Sequence, residues 1–255
     1  MDTPDPLVAQ LRAAGCVYAE DEARLLRAAA DGEALRALVV RRVAGEPLEV
    51  LLGWAEVAGV RVRTAPGVFV PRRRSGLLVR LALEALAATP PPVVVDLCCG
   101  TGALGAAVAH HRPDAEVHAC DLDPAAVACA QRNLPPDRVH LGDLLDALPP
   151  DLRGRVDALV VNTPYVPSAA LATMPPEARE HEPQPALDGG PDGLDLHRRV
   201  AEGAPPWLVR GGVLVLETSE SQAEGSAGLL AAAGLRTELH RDEKLDAVAV
   251  LARRP

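Results

Sequence analysis

The stretch Val93-Val94-Val95-Asp96-Leu97-Cys98-Cys99-Gly100-Thr101-Gly102-Ala103-Leu104-Gly105 decides the fold of this 255-residue chain. Its first five residues are mostly β-branched and apolar, and read as a buried strand. Ala103 to His111 is rich in good helix formers and reads as a helix. Between them, Gly100, Gly102 and Gly105 satisfy the GxGxxG spacing in the strand–turn–helix context that gives it meaning. With no Cβ at such a turn, the backbone can approach a ligand closely, and the helix N-terminus aims its free N–H groups there.

Toward the C-terminus the alternation continues. Glu116 to Asp121 reads as a strand and Pro124 to Asn133 as a helix with proline in its first turn. Val139 to Leu141 and Asp157 to Val161 read as two further strands. A polar, proline-rich segment follows over 163–192. Then come a helix over Leu194 to Leu208, a strand over Gly212 to Glu217 and a helix over Gln222 to Ala233. Two closing strands near 235–240 and 246–252 are joined by Arg241 to Leu245 as a hairpin. The alternation predicts an α/β fold with a doubly wound parallel sheet, into which the hairpin brings one antiparallel strand.

Toward the N-terminus the pattern differs. Ser75 to Ala88 reads as a helix stopped by Pro90-Pro91-Pro92. Glu49 to Leu52, Ala55 to Val62 and Val68 to Val70 are short and β-prone, punctuated by Gly53, Gly59 and Gly67, and predict a hairpin or extended linker. The first segment reads as short helices: one through Ala14 capped by Asp5 or Thr3, then Glu20 to Ala30 and Glu33 to Val43. The predicted divisions are a helical domain over 1–45, a β-hairpin and linker over 46–74, and an α/β domain over 75–255.

Composition bounds what such a chain can be. Hydrophobic residues at 48% and charged residues at 24% support a packed core and exclude a disordered or fibrous chain. With 26 Lys and Arg against 35 Asp and Glu, the formal net charge is −9, which suits unaided binding of a nucleic-acid backbone poorly. No apolar run is long enough to span a membrane, and the N-terminus has no basic region followed by an apolar one. The five cysteines form no CxxC pair, so neither a disulfide framework nor a metal site is expected, and the setting is expected to be cytoplasmic. Aromatic residues are scarce: Tyr18, Trp54, Phe69, Tyr165 and Trp207.

The glycine triplet alone does not separate a dinucleotide from another nucleoside cofactor. Asp96 stands four residues before Gly100. A carboxylate there faces a pyrophosphate unfavourably but suits a cofactor carrying an ammonium and a sulfonium. Asp121 lies 21 residues after Gly100, at the end of the next strand, where it can bind ribose hydroxyls. DxxxGxG followed by this acid is the pattern of S-adenosylmethionine-binding folds. Gly142-Asp143-Leu144 follows the third strand. Asp143 is expected to accept from the adenine amino group and Leu144 to cover the ring.

Asn162-Thr163-Pro164-Tyr165 ends the fourth strand, where open α/β sheets place their ligands. A planar nitrogen is hard to methylate because its lone pair is delocalised. A site that accepts both N–H hydrogens fixes the nitrogen and aims its lone-pair face at a methyl carbon. The Asn162 side-chain oxygen and the Thr163 carbonyl are the candidate acceptors, with Tyr165 packing on the flat group. Positioning and electrostatics then carry the transfer, with no metal.

These residues resemble the HemK/PrmC family of protein-(glutamine-N5) methyltransferases, which modify the GGQ glutamine of peptide chain release factors. The resemblance runs through Glu46 to Gly53, Val68-Phe69-Val70-Pro71-Arg72, the glycine loop, Asp121, Asp143, Asn162 to Tyr165, Glu182 to Leu194, Gly211-Gly212 and Glu217. It implies a class I S-adenosylmethionine-dependent methyltransferase, Rossmann-like with a seven-stranded, mostly parallel sheet, preceded by a small helical domain that docks a protein substrate. It further implies that Cys98, Cys99, Gly100, Thr101, Gly102, Asp121 and Leu144 line the cofactor, joining Asp96 and Asp143 from the reading above, with Asn162 shared between cofactor and substrate. Asn162, Thr163, Pro164 and Tyr165 would hold the glutamine amide.

The chain departs from the family pattern at four places. Thr163 replaces the first proline of NPPY, Cys98-Cys99 stands where glycine and a small residue are usual, Arg73-Arg74 stands where an acid is usual, and Val50 replaces a tyrosine. The rival expectations are an adenine-N6 methyltransferase on DNA or RNA, and a paralogue acting on another protein glutamine or a small molecule. Arg72-Arg73-Arg74 is the one candidate basic patch, the alternative being a solvated turn. A monomer is expected.

Overall fold

The computed structural model describes residues 5–89 and 91–255. Thr3, the alternative cap, and Pro90, the first of the proline run, lie outside them. Asp5 caps α1 (Pro6–Ala13) by accepting from the Leu7 N–H at 3.0 Å, and Pro6 occupies the first turn, where its missing N–H costs nothing. α2 (Ala19–Ala29) and α3 (Gly32–Val43) close on α1 through Leu11, Ala19, Ala23, Leu26 and Val39. The charge order of α2 suits its dipole, with Glu20, Asp21 and Glu22 in the first turn and Arg27 in the last.

Glu49 to Leu52 corrects the sequence expectation. It lies in a short helix, α4 (Leu48–Leu52), entered from Pro47 and ended by Gly53 in the left-handed conformation. Leucine and glutamate are helix formers, and Leu48 packs on the cluster of the first three helices. The hairpin is confined to β1 (Trp54–Val57) and β2 (Val60–Arg63). Val68 to Val70 is not a strand. Its valines are apolar because the loop is buried, Val68 against Ala126 and Cys129. α5 (Gly76–Ala85) follows and ends earlier than the sequence predicts.

The alternating part builds one sheet from β3 (Val93–Leu97), β4 (Glu116–Asp121), β5 (Val139–Leu141), β6 (Val156–Val161), β7 (Leu208–Thr218), β8 (Arg236–Asp242) and β9 (Ala247–Arg253). The order is β5-β4-β3-β6-β7-β9-β8. Pairings from β5 to β7 are parallel, and β9 is antiparallel to both neighbours. This is the seven-stranded, mostly parallel sheet with one reversed strand that the sequence resemblance implies.

Both faces of the sheet are covered. Val94, Val117, Val160 and Val215 pack toward α5, α6 (Ala103–His111) and α7 (Pro124–Ala130). Val95, Leu97, Leu159, Leu214 and Leu216 pack on the other side toward α9 (Asp195–Gly203) and α10 (Ala223–Ala232). Burial on both faces explains why these strands read as unbroken apolar runs. The proline-rich 163–192 segment holds one short α-helix, α8 (Pro176–His181), and two 3-10 turns, Ser168–Thr173 and Gln184–Ala186, and Val166 bridges to Asp188 within it. Among the described residues no helix is long and apolar enough to cross a membrane.

Candidate active site

The order reverses beside β3, whose neighbours β4 and β6 come later in the chain on opposite sides. At such a switch point the loops leave the carboxyl ends in opposite directions and open a crevice. A cavity of about 430 Å³ occupies it, and its walls include Asp96, Cys98, Cys99, Gly100, Thr101, Asp121, Asp143, Leu144 and Asn162 to Tyr165.

The glycine loop is braced by the two acids flanking it. The Gly100 N–H donates to Asp121 Oδ2 at 2.8 Å, and Asp121 Oδ1 accepts from the Asp123 N–H at 3.0 Å. The Gly105 N–H donates to Asp96 Oδ2 at 2.8 Å. Cys98 holds φ +57°, a left-handed conformation that costs a non-glycine residue about 1–2 kcal/mol. Gly102 closes the loop, its N–H donating to the Cys99 carbonyl at 2.7 Å. It stands at the N-terminus of α6 with φ +73°, and a Cβ there would lie 3.1 Å from Ala130 Cβ. Its smallness serves packing against α7.

Asp96 is buried, and its Oδ1 has no partner among the described residues. Burial, with the nearby Asp121 charge adding, pushes its pKa up to about 8. An orphaned acid in a cavity wall is an unmet demand for a cation or donor. The ammonium of S-adenosylmethionine has that chemistry, so the residues present fit the cofactor. Asp143 is not free: its Oδ2 pairs with Arg199 at 2.9 Å, both side chains half-exposed. The Leu144 carbonyl accepts from the Cys120 thiol at 3.4 Å, which holds the loop after β5 against β4. Phe69, Leu122 and Arg199 also line the cavity and were not singled out as binding residues from sequence. The scarcity of aromatics was the usable signal for Phe69.

At the other end of the cavity, Asn162 Nδ2 donates to Ser75 Oγ at 3.3 Å. The Ser75 hydroxyl donates to Glu217 Oε2 at 2.5 Å. The Tyr165 hydroxyl donates to Glu217 Oε1 at 3.1 Å and accepts from Arg74 Nη2 at 2.8 Å. Arg74 Nε donates to the same Oε1 at 3.1 Å. Burial, and then the Glu217 charge, pushes the Tyr165 phenol well above its ordinary value, so it stays protonated. Thr163 is buried, and its hydroxyl has no partner among the described residues. Arg72 donates to Glu182. Arg72 and Arg74 are thus committed to buried carboxylates, and neither the basic patch nor the solvated turn describes them.

The stretch from Glu182 to Leu194 backs Tyr165. Val166 N–H donates to the Leu187 carbonyl at 3.0 Å and Gly189 N–H to the Val166 carbonyl at 2.8 Å. Gln222 Nε2 bridges the Tyr165 and Asp192 carbonyls at 2.9 and 3.0 Å.

A parallel sheet with one reversed strand, a glycine loop between two acids and a cavity at the switch point define a class I S-adenosylmethionine-dependent methyltransferase. The family model "Methyltransferase small domain" matches residues 59–175. The release factor glutamine methyltransferase of Streptomyces coelicolor is 42% identical over 189 residues, 72% of this chain and 67% of that one. The 4-amino-L-phenylalanine/4-methylamino-L-phenylalanine methyltransferase of Streptomyces pristinaespiralis is 40% identical over 203 residues, 77% and 69% of the two chains. In fold alone, the chain resembles the T. thermophilus 16S rRNA N2 G1207 methyltransferase, at 22% identity, a TM-score of 0.56 and coverage of 79% and 50%. The chain belongs to the release factor glutamine methyltransferase family.

Proposed function

We propose that this chain transfers the methyl group of S-adenosylmethionine to the side-chain amide nitrogen of the GGQ glutamine in a peptide chain release factor. The observation that carries this is the orientation of Asn162. Its Nδ2 is engaged by Ser75, which leaves Oδ1 as an acceptor at the carboxyl end of β6. When bound, S-adenosylmethionine supplies a methyl on a sulfonium, open to in-line displacement. Asn162 Oδ1 and the Thr163 carbonyl accept the two N–H hydrogens of the target amide and fix its plane. The protonated Tyr165 packs on that plane without offering a competing negative charge. The N–CH3 bond would form as the S–CH3 bond of the sulfonium breaks and releases a neutral thioether, and the surplus proton, on an N–H already bound to one of these acceptors, would pass to solvent water. Asp96 meets the cofactor ammonium, Asp121 the ribose, and Asp143 with Leu144 the adenine, while Cys98, Cys99, Gly100 and Thr101 line the remaining wall. The helices of 1–45 dock the protein substrate, 46–74 connects them, and 75–255 carries the chemistry, as a monomer in the cytoplasm.

The relative named for 4-amino-L-phenylalanine favours a second reading, methylation of a small aromatic amine. Adenine methylation has less support, since the net charge is −9 and Arg72 and Arg74 are tied to buried carboxylates. The test is incubation with purified release factor and with free 4-amino-L-phenylalanine, followed by mass spectrometry. Methylation at the GGQ glutamine, absent in Asn162→Ala, supports the proposal. Methylation of the amino acid alone selects the second reading. Labelling of neither, with cofactor binding demonstrated, overturns both.

A further inference from the structure

We propose that Glu217 and Ser75 form a one-directional hydrogen-bond relay that sets which end of the Asn162 amide faces the substrate, making Ser75 a positioning residue for methyl transfer. The proposal deepens the reading above and rests on it for the identity of the acceptor.

An asparagine amide presents a donor at one end and an acceptor at the other, and two nearly isosteric orientations exchange them. Only one is useful to a clamp that must accept from a substrate N–H. With Nδ2 turned to the substrate, donor would face donor. Something must choose between the orientations, and the choice begins at Glu217.

Three donors converge on that carboxylate: Ser75 on Oε2 at 2.5 Å, and Arg74 Nε and Tyr165 on Oε1 at 3.1 Å each. Each of these three groups brings its own proton, so the carboxylate oxygens accept from all of them. Ser75 therefore commits its single hydroxyl proton to Glu217. Its oxygen can then only accept from Asn162, at 3.3 Å, and the amide must bring Nδ2 to it. The reverse orientation would set Oδ1 against Oγ with no proton between them. Ser75 is buried, so water does not relieve that clash.

The three residues are 87 and 142 positions apart in sequence, and meet because the start of α5 sits over the carboxyl ends of β6 and β7. Tyr165 hangs from the same carboxylate, so both side chains of the clamp take their placement from Glu217. Arg74 holds the position where the family resemblance places an acid. Here its Nε–H is one of the three donors to Glu217.

The chain contains two asparagines, so protein labelled with [15N]asparagine shows two side-chain amide pairs. Asn133 is the internal control, with Nδ2 bound to the Arg63 and Thr101 carbonyls and Oδ1 to the Arg63 N–H. In the wild-type protein the Asn162 Nδ2 protons are expected to show a nuclear Overhauser contact to the Ser75 Cβ protons. Its absence overturns the proposal without any variant. In Ser75→Ala the Asn162 pair is expected to shift and exchange faster while the Asn133 pair holds. kcat on release factor should fall about 100-fold, the scale of losing one preorganised hydrogen-bonding group, with KM for S-adenosylmethionine within about twofold. Ser75→Thr, which keeps the hydroxyl, should restore both signals and rate. Unchanged Asn162 signals in Ser75→Ala overturn the relay, whatever the rate does. A wild-type protein that shows the contact but methylates no release factor leaves the relay standing and removes the substrate assignment.

Discussion

Arg72 donates through Nη2 to both carboxylate oxygens of Glu182, at 2.6 and 2.7 Å, across 110 residues of sequence. The Glu182 side chain is only 2% exposed, so the pair rivets the 182–194 stretch to the entry of α5. Arg72→Ala strands a buried carboxylate. Such losses cost about 3–5 kcal/mol when both partners are buried, and about 2 kcal/mol is expected here because Arg72 is partly solvated. The melting temperature should fall, hydrogen exchange over 182–194 should rise, and KM for the protein acceptor should rise more than KM for the cofactor. An unchanged exchange pattern would show that other contacts hold the stretch.

Asp121 braces the glycine loop through Oδ2, holds the Asp123 N–H through Oδ1, and is proposed to hold the ribose as well. Asp121→Ala removes both functions, and calorimetry should show cofactor affinity down by at least about tenfold, the equivalent of about 1.4 kcal/mol. Asp121→Asn keeps one acceptor and should fall between. Equal affinity in all three proteins would exclude the ribose role.

Asp96 gives a pH prediction with a definite sign. Its folded pKa of about 8 lies above the ordinary carboxylate value. Below pH ~4 folded and unfolded chains both carry the proton, and the full stability is present. Between there and pH ~8 the unfolded chain releases a proton that the folded one keeps, so stability falls as pH rises, by up to about 1.4 kcal/mol per unit. The ligand-free protein should therefore lose melting temperature from pH 5 to pH 8 relative to Asp96→Asn. Parallel profiles for the two proteins would count against the raised pKa.

Gly193 has φ +76°, and a Cβ there would sit 2.2 Å from Gln222 Nε2 and 2.3 Å from the Tyr165 carbonyl oxygen. Gly193→Ala must move one or the other, on top of about 1–2 kcal/mol of backbone strain. Expected are a lower melting temperature and a kcat loss larger than that of Gly228→Ala, where a Cβ meets nothing within 4 Å. Equal kcat values in the two variants would mean that Tyr165 does not depend on this backing.

The legible parts of this molecule were those whose cause is local. Val93 to Leu97, the glycine turn and α6 declare themselves through composition and spacing within a dozen residues. Asn162 to Tyr165 stood out because a polar cluster ends an apolar strand. Glu49 to Leu52 was misread because a short apolar run has no periodicity to separate strand from helix, and packing on α1 to α3 decided the matter. Val68 to Val70 resembled a strand because a buried loop draws on the same side chains. The arginines at 72 and 74 were illegible alone, since their meaning lies in Glu182 and Glu217, which only the finished sheet brings near. Gly102 fits the motif, but its tight fit against Ala130 of α7 is a demand that only the folded chain reveals.

Four of the five cysteines are buried, and Cys98 alone keeps partial exposure, in the wall of the proposed cofactor cavity. Burial, with the neighbouring Cys120 thiol, holds it protonated. Alkylating reagents should therefore modify the native protein slowly, at one position, and through the opening of the proposed cofactor cavity. That makes thiol labelling an occupancy gauge: under the reading proposed above, added S-adenosylmethionine should slow the modification further.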